Sequence, residues 1–284
     1  MIKYFKLIRV KQWTKNLFCF SGFIFGTSHY DYNNFLQSFK SFLCFCLISS
    51  FVYIINDLFD KESDSKHPKK KNRPIASGTI KTSVAKIFAI ILFTVGIFVA
   101  SNINYTVFCI VLLYLINNLF YNIYFKKLVI IDVLSIALGF IFRLIAGIYS
   151  VMLIPTPWIV LCTFFLAMFL GFSKRRAELI KSEENFPQRP VLKNYSVQFL
   201  DSLINDSAFG SIISYSIFCT INHNNYIIII TIPVVYYALM HYKNLIFQNI
   251  HGEEPESVVL KDRTILVSII VWLILYFLFK SSTI

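Results

Sequence analysis

The chain is divided into apolar blocks too long and too closely spaced for a water-soluble fold. They cover roughly residues 16–28, 38–55, 84–100, 105–121, 129–150, 158–172, 208–221, 226–242 and 264–279. A helix crosses the hydrocarbon core of a bilayer in roughly 20 residues, and most blocks approach that length. Only 15% of the 284 residues are charged and 56% are hydrophobic, a balance that a soluble domain of this size does not sustain. In lipid each segment must satisfy its own backbone N–H and C=O groups, which for such blocks means helix. The chain is therefore expected to be all-α: a polytopic membrane protein of about nine transmembrane helices, forming one integral membrane domain over residues 1–284.

The net charge of +12 would suggest nucleic acid in a soluble protein. Here it is expected to reflect topology instead, because cytoplasmic loops carry excess Lys and Arg. With nine crossings, every Lys and Arg except Lys40, Arg143 and Lys280 falls on the N-terminal side of the membrane. That asymmetry predicts a cytoplasmic N-terminus in a multi-pass inner (plasma) membrane protein, with no nucleic acid partner. The longer loops all fall on the cytoplasmic side, so a site built from them would open there. The six cysteines lie in apolar segments without metal-ligand spacing and are expected to be small buried hydrophobes. No cleaved leader is expected at the N-terminus. Whether the chain self-associates is left open.

At the end of the second block stands Asn56-Asp57-Leu58-Phe59-Asp60-Lys61-Glu62-Ser63-Asp64. On one continuous helix Asp57, Asp60 and Asp64 would share a face. Three such carboxylates repel one another unless a cation joins them, and hard oxygen ligands suit Mg2+, which also holds substrate phosphates. The competing view, a solvated helix end, leaves three same-face acids at a membrane edge unexplained. Asn56 offers a neutral carbonyl or donor beside them. Downstream, Arg73 sits in Asn72-Arg73-Pro74, expected to be rigid and extended, and a guanidinium suits bidentate phosphate binding. The Lys69–Lys71 run is equally consistent with topology or lipid headgroups.

Three further elements carry charge. Tyr121–Lys127, followed by Asp132, ends a span with two lysines, and it reads as a phosphate contact or as an aromatic and basic anchor. Arg143 lies deep in an apolar block between Gly139 and Gly147. It should face a partner or cavity, either a carboxylate in an ion pair or the substrate, while the glycines permit close packing. Lys174-Arg175-Arg176-Ala177-Glu178 ends the sixth block. It reads as an anion clamp or a topology signal, with Lys174 and Glu178 one turn apart.

These elements, in this order, resemble the UbiA superfamily of intramembrane prenyltransferases. Asn56–Asp64 is similar to its first aspartate-rich motif. The superfamily usually carries a second acidic motif after the sixth span, where this chain has Lys174-Arg175-Arg176. That departure, with Arg9–Asn16, Lys71–Gly78, Gly139–Arg143, Lys174–Leu179 and Gly252–Glu256, resembles the decaprenyl-phosphate phosphoribosyltransferase branch. Tyr121 and Lys126 match that branch's tyrosine and lysine element, while Asn122 and Phe125 depart from it. The resemblance implies a UbiA-like bundle and transfer of phosphoribose from 5-phosphoribosyl 1-diphosphate (PRPP) to a polyprenyl phosphate, releasing diphosphate.

That reaction is compatible with the residues. Mg2+ on Asp57, Asp60 and Asp64 would neutralise the leaving diphosphate. Cations for the other phosphates are available in Lys11, Lys15, Arg73, Lys126, Lys174, Arg175 and Arg176. The alternative is prenyl transfer from a diphosphate to an aromatic or quinone acceptor, which predicts carboxylates after the sixth span. A transporter with Arg143 as its switch would instead place ionisable groups at mid-depth in several spans.

Overall fold

The computed structural model describes residues 2–26, 30–66, 70–182, 190–221, 226–248, 258 and 261–281. The helices are α1 (Ile2–Leu7), α2 (Tyr32–Phe59), α3 (Lys61–Lys66), α4 (Thr82–Ser101), α5 (Tyr105–Ile123), α6 (Ile131–Ser150), α7 (Pro157–Ser182), α8 (Val197–Ile221), α9 (Thr231–Phe247) and α10 (Arg263–Ser281). No strand occurs among the described residues, so the all-α expectation holds. Local chemistry sets several boundaries. Asp31 caps α2 by accepting from the Asn34 N–H at 2.7 Å, and Asn104 caps α5 by accepting from Val107 at 2.8 Å, each filling an otherwise orphaned donor.

Among the described residues, 6 helices are long and apolar enough to cross a membrane: Tyr32–Phe59, Thr82–Ser101, Tyr105–Ile123, Ile131–Ser150, Pro157–Lys181 and Ile227–Phe247. That is fewer than the nine spans expected. Arg263–Phe279 is apolar but shorter. The block at 208–221 belongs to α8, whose first half carries Asp201 and Asp206. The first block is not an α-helix. Val10–Phe20 forms tight 3-10 turns and Gly22–Gly26 a π turn. Side chains hold this stretch to α2: Trp13 Nε1 donates to Ser50 Oγ at 3.1 Å and Asn16 Nδ2 to Ser49 Oγ at 3.3 Å.

The described chain divides into two compact units: residues 1–125 with 138–155, and residues 126–137 with 156–284. In the first, α2 packs along α4, and Phe45, Ile48, Val107, Val111 and Tyr114 form a buried cluster with Cys19 and Cys44. All six cysteines are free thiols and four are buried, as expected of small hydrophobes. In the second unit α7 packs along α8. Only 28% of the most apolar window of α4 and 22% of that of α5 is buried. Helices this apolar that expose most of their surface need a hydrocarbon solvent.

One contact in the first unit requires glycine. A Cβ on Gly147 of α6 would run into the Cys19 carbonyl, and one on Gly22 would run into the Gly147 carbonyl. Backbone meets backbone here, so neither side can yield by a rotamer change. Gly147→Val is expected to lower folded yield and the unfolding temperature, with an overpacking cost of about 1–3 kcal/mol or more. Fluorescence-detected thermal unfolding in detergent checks this; wild-type melting would mean the two backbones separate freely. Gly139 is less restrictive, since its Cβ would sit 3.4 Å from Arg143 Nη1.

Candidate active site

In the first unit the aspartates lie at a helix break. α2 ends at Phe59, Asp60 caps it with φ −90° and ψ 7°, and α3 starts at Lys61. The hydrogen bonding carries through, Asp60 N–H to Asn56 O at 2.9 Å and Asp64 N–H to Asp60 O at 2.8 Å, while Asp60 itself leaves helical dihedrals. The three expected aspartates thus fall across the junction of two helices, Asp57 in α2, Asp60 at the cap and Asp64 in α3. Asp57 and Asp64 are 2% and 3% exposed, whereas Asp60 is half-buried at the break.

Both buried carboxylates meet the same nitrogen. Arg73 Nη1 donates to Asp57 Oδ1 at 3.1 Å and to Asp64 Oδ2 at 2.5 Å. Arg9 Nη2 donates to Asp57 Oδ1 as well, and its guanidinium lies 4.8 Å from the centroid of the Tyr53 ring. Arg9 has φ 51° and ψ 52°, a left-handed backbone uncommon outside glycine. Arg73 is not in extended chain as expected but in a turn, with Ser77 N–H bonded to Arg73 O at 2.9 Å and Ile80 N–H to Pro74 O at 3.0 Å. Lys11, exposed, and Lys15, half-buried, lie in the 3-10 stretch that follows Arg9.

No three His, Cys, Asp or Glu side chains are gathered as a metal cage among the described residues. The donor chemistry nonetheless fits a hard divalent ion. Two buried carboxylates converge on one cationic point, and Mg2+ typically takes one or two protein carboxylates and fills its shell with water and phosphate oxygens.

Arg143, also in the first unit, is 5% exposed and among the described residues pairs with no carboxylate. Its Nε donates to Asn16 Oδ1 at 2.7 Å, Nη1 to Gly139 O at 2.6 Å and Nη2 to Tyr114 Oη at 2.9 Å. The Tyr114 ring faces it at 4.8 Å. The side chain thus ties the 3-10 stretch and α5 to α6 through neutral acceptors, in place of the ion pair considered from sequence. Tyr121 sits in the last turn of α5.

In the second unit the basic run at the end of α7 is already bonded. Arg175 is 1% and Asp132 0% exposed. Arg175 Nε donates to Asp132 Oδ2 at 2.6 Å and Nη1 to Glu178 Oε2 at 2.8 Å. Tyr195 Oη donates to Asp132 Oδ1 at 2.9 Å and accepts from Ile130 N–H at 2.7 Å, where Ile130 has φ 68°. Burial first, then the Asp132 carboxylate, pushes the Tyr195 phenol far above its usual range, so it stays protonated. Arg176 Nε donates to Asp201 Oδ1 at 2.6 Å and Nη1 to Ile246 O at 3.1 Å, with Phe247 at 4.4 Å. Lys174 is half-buried on the same helix end, and Lys126 lies in the short turn Phe125–Lys127 before Ile130. His67, Lys69, His251 and Gly252–Glu256 lie outside the described residues.

Arg9 and Tyr195 were not singled out from sequence. Arg9 stands in the resembling stretch Arg9–Asn16, which was its only signal; nothing local marked Tyr195.

The first unit thus carries an aspartate-rich helix end whose two buried carboxylates are met by half-buried guanidiniums, in an all-helical chain with helices apolar enough to cross a membrane. The model of the UbiA prenyltransferase family matches residues 17–249, and the chain belongs to that family. Its curated relatives include decaprenyl-phosphate phosphoribosyltransferase of Mycolicibacterium smegmatis, 27% identical over 284 residues that cover 94% of this chain and 89% of that protein. The enzyme of that name from Mycobacterium tuberculosis is 26% identical, covering 94% of this chain and 91% of that protein. Within the family the similarity thus runs to the decaprenyl-phosphate branch. The solved structure of a UbiA homolog from Archaeoglobus fulgidus bound to GPP and Mg2+ shares the fold, with a TM-score of 0.75 at 20% identity over 99% of this chain and 100% of that one.

Proposed function

We propose that the chain transfers phosphoribose from PRPP to a decaprenyl-like polyprenyl phosphate, releasing diphosphate, as a step in making cell-envelope polysaccharide precursors. The observation that carries this is the near end-to-end likeness to decaprenyl-phosphate phosphoribosyltransferases. The replacement of a second acidic motif by Lys174-Arg175-Arg176 supports it. The whole chain acts as one catalytic domain in the plasma membrane, nine-span with its N-terminus and site on the cytoplasmic side, as the distribution of Lys and Arg suggests.

In this reading Asp57 and Asp64, with Asp60 and Asn56 beside them, would hold Mg2+, which would supply positive charge against a leaving diphosphate. Arg73, Lys11 and Lys15 bind phosphate oxygens, Lys126, with Tyr121 five positions before it, and Lys174 being further cations for phosphate. Arg143 orders the helices around Asn16. The nucleophile is the lipid phosphate, ionised at neutral pH, so no general base is required. A phosphate oxygen attacks the anomeric carbon while the C1–O bond to diphosphate breaks, with inversion. Arg175 and Arg176 contribute through Asp132, Glu178 and Asp201.

Prenyl transfer to an aromatic acceptor is the second reading, favoured by the fold shared with a homolog bound to GPP and Mg2+. Purified protein in liposomes containing polyprenyl phosphate, given PRPP labelled in the ribose, tests the first. The label is expected to pass into the organic phase only with both Mg2+ and the lipid phosphate present. Label that stays aqueous under all conditions would overturn it.

A further inference from the structure

The buried carboxylates of Asp57 and Asp64 are each in contact with an arginine. The side chains of Arg9 and Arg73 are 23% and 25% exposed, while those of Asp57 and Asp64 are 2% and 4% exposed. The guanidiniums that contact the acids are thus more exposed than the acids themselves. Arg73 Nη1 is within 3.1 Å and 2.5 Å of the two carboxylates, so one nitrogen occupies the point on which both converge. In the described ion pairs, two guanidiniums meet two carboxylates.

That pairing has a consequence for metal binding. A divalent ion entering alone must compete with Arg73 for the same oxygens and leaves the group with excess positive charge at low dielectric, which is costly. An ion that arrives with diphosphate brings its own compensation, and the displaced guanidiniums gain phosphate oxygens, their preferred bidentate partners. We propose that Arg73, assisted by Arg9, is a resident counter-ion that excludes a bare divalent cation and yields its place when the cation comes with a diphosphate. Metal and diphosphate then bind with strong mutual coupling, and free diphosphate cannot leave without loosening the metal. The proposal rests on the metal assignment above and not on which diphosphate is the donor.

Electron paramagnetic resonance titration of the purified full-length protein with Mn2+, alone and with inorganic pyrophosphate, measures it directly. Pyrophosphate should tighten Mn2+ binding to the wild-type protein by roughly tenfold or more beyond pyrophosphate's own chelation, within the usual span of coupled sites. Arg73→Gln should tighten binding of Mn2+ alone by about tenfold and shrink the pyrophosphate effect correspondingly. Unchanged or weaker binding of Mn2+ alone by Arg73→Gln would overturn the proposal. If that variant does not fold, Arg9→Gln, which leaves Arg73 to neutralise two acids alone, must show the same direction to a smaller extent; an unchanged affinity there overturns it equally. Asp57→Asn separates the two claims: if, with pyrophosphate present, it binds Mn2+ as tightly as wild type does, the metal assignment itself fails, whatever the arginines do.

Discussion

Asp57→Asn is expected to reduce phosphoribosyl transfer by two to three orders of magnitude, the order seen when a fixed charge at a developing anion is lost. The substitution keeps the side chain's shape and leaves one oxygen to accept from Arg9 and Arg73. What it removes is the charge that both guanidiniums answer. Under the proposed reaction the same charge fixes the metal against the leaving diphosphate, so the loss should fall mainly on kcat. Asp64→Asn should act in the same direction but more weakly, since Asp64 is met by Arg73 alone among the arginines described. Initial rates at saturating PRPP and lipid, with thermal unfolding to confirm a folded variant, decide the matter. Turnover within about threefold of wild type would remove Asp57 from the catalytic machinery.

Arg175→Ala is expected to act on folding before it acts on the reaction. The guanidinium is buried and bonded to Asp132 and Glu178. Truncation leaves Asp132, fully buried, with Tyr195 as its remaining described partner. Breaking such a pair from one side costs about 3–5 kcal/mol, a large share of the 5–15 kcal/mol that typically holds a protein folded. Folded yield and unfolding temperature should fall sharply. Adding Asp132→Asn to Arg175→Ala should recover part of the loss, because the stranded charge is then gone. A variant that melts like wild type but shows a raised KM for PRPP would instead make Arg175 a substrate contact.

The features that were readable from sequence are those encoded locally. Apolar blocks give helices because lipid leaves the backbone no other partner, and Asp57–Asp64 announces itself by spacing. The rest depends on distant pairing. Arg9 reaches Asp57 across 48 positions and Arg175 reaches Asp132 across 43, which no local pattern encodes. The helix junction at Asp60, and the Arg73 nitrogen that Asp57 and Asp64 share, likewise lie beyond any local pattern. The first block takes 3-10 and π turns where a regular α-helix was expected, because those turns share the apolar composition of a span and composition alone does not tell them apart. Nine apolar blocks likewise did not make nine long helices: α8 carries polar residues through its first half.

The central claim is that the lipid enters as nucleophile and the sugar as donor. The most direct measurement is mass spectrometry of lipid and aqueous products from one reaction of the purified, reconstituted protein. It should be offered PRPP with polyprenyl phosphate, and separately a prenyl diphosphate with an aromatic acid. The prediction is phosphoribosyl-phosphoryl-polyprenol and diphosphate in equal amounts from the first pair, and no product from the second. A prenylated aromatic acid from the second pair, with PRPP left intact in the first, would contradict it.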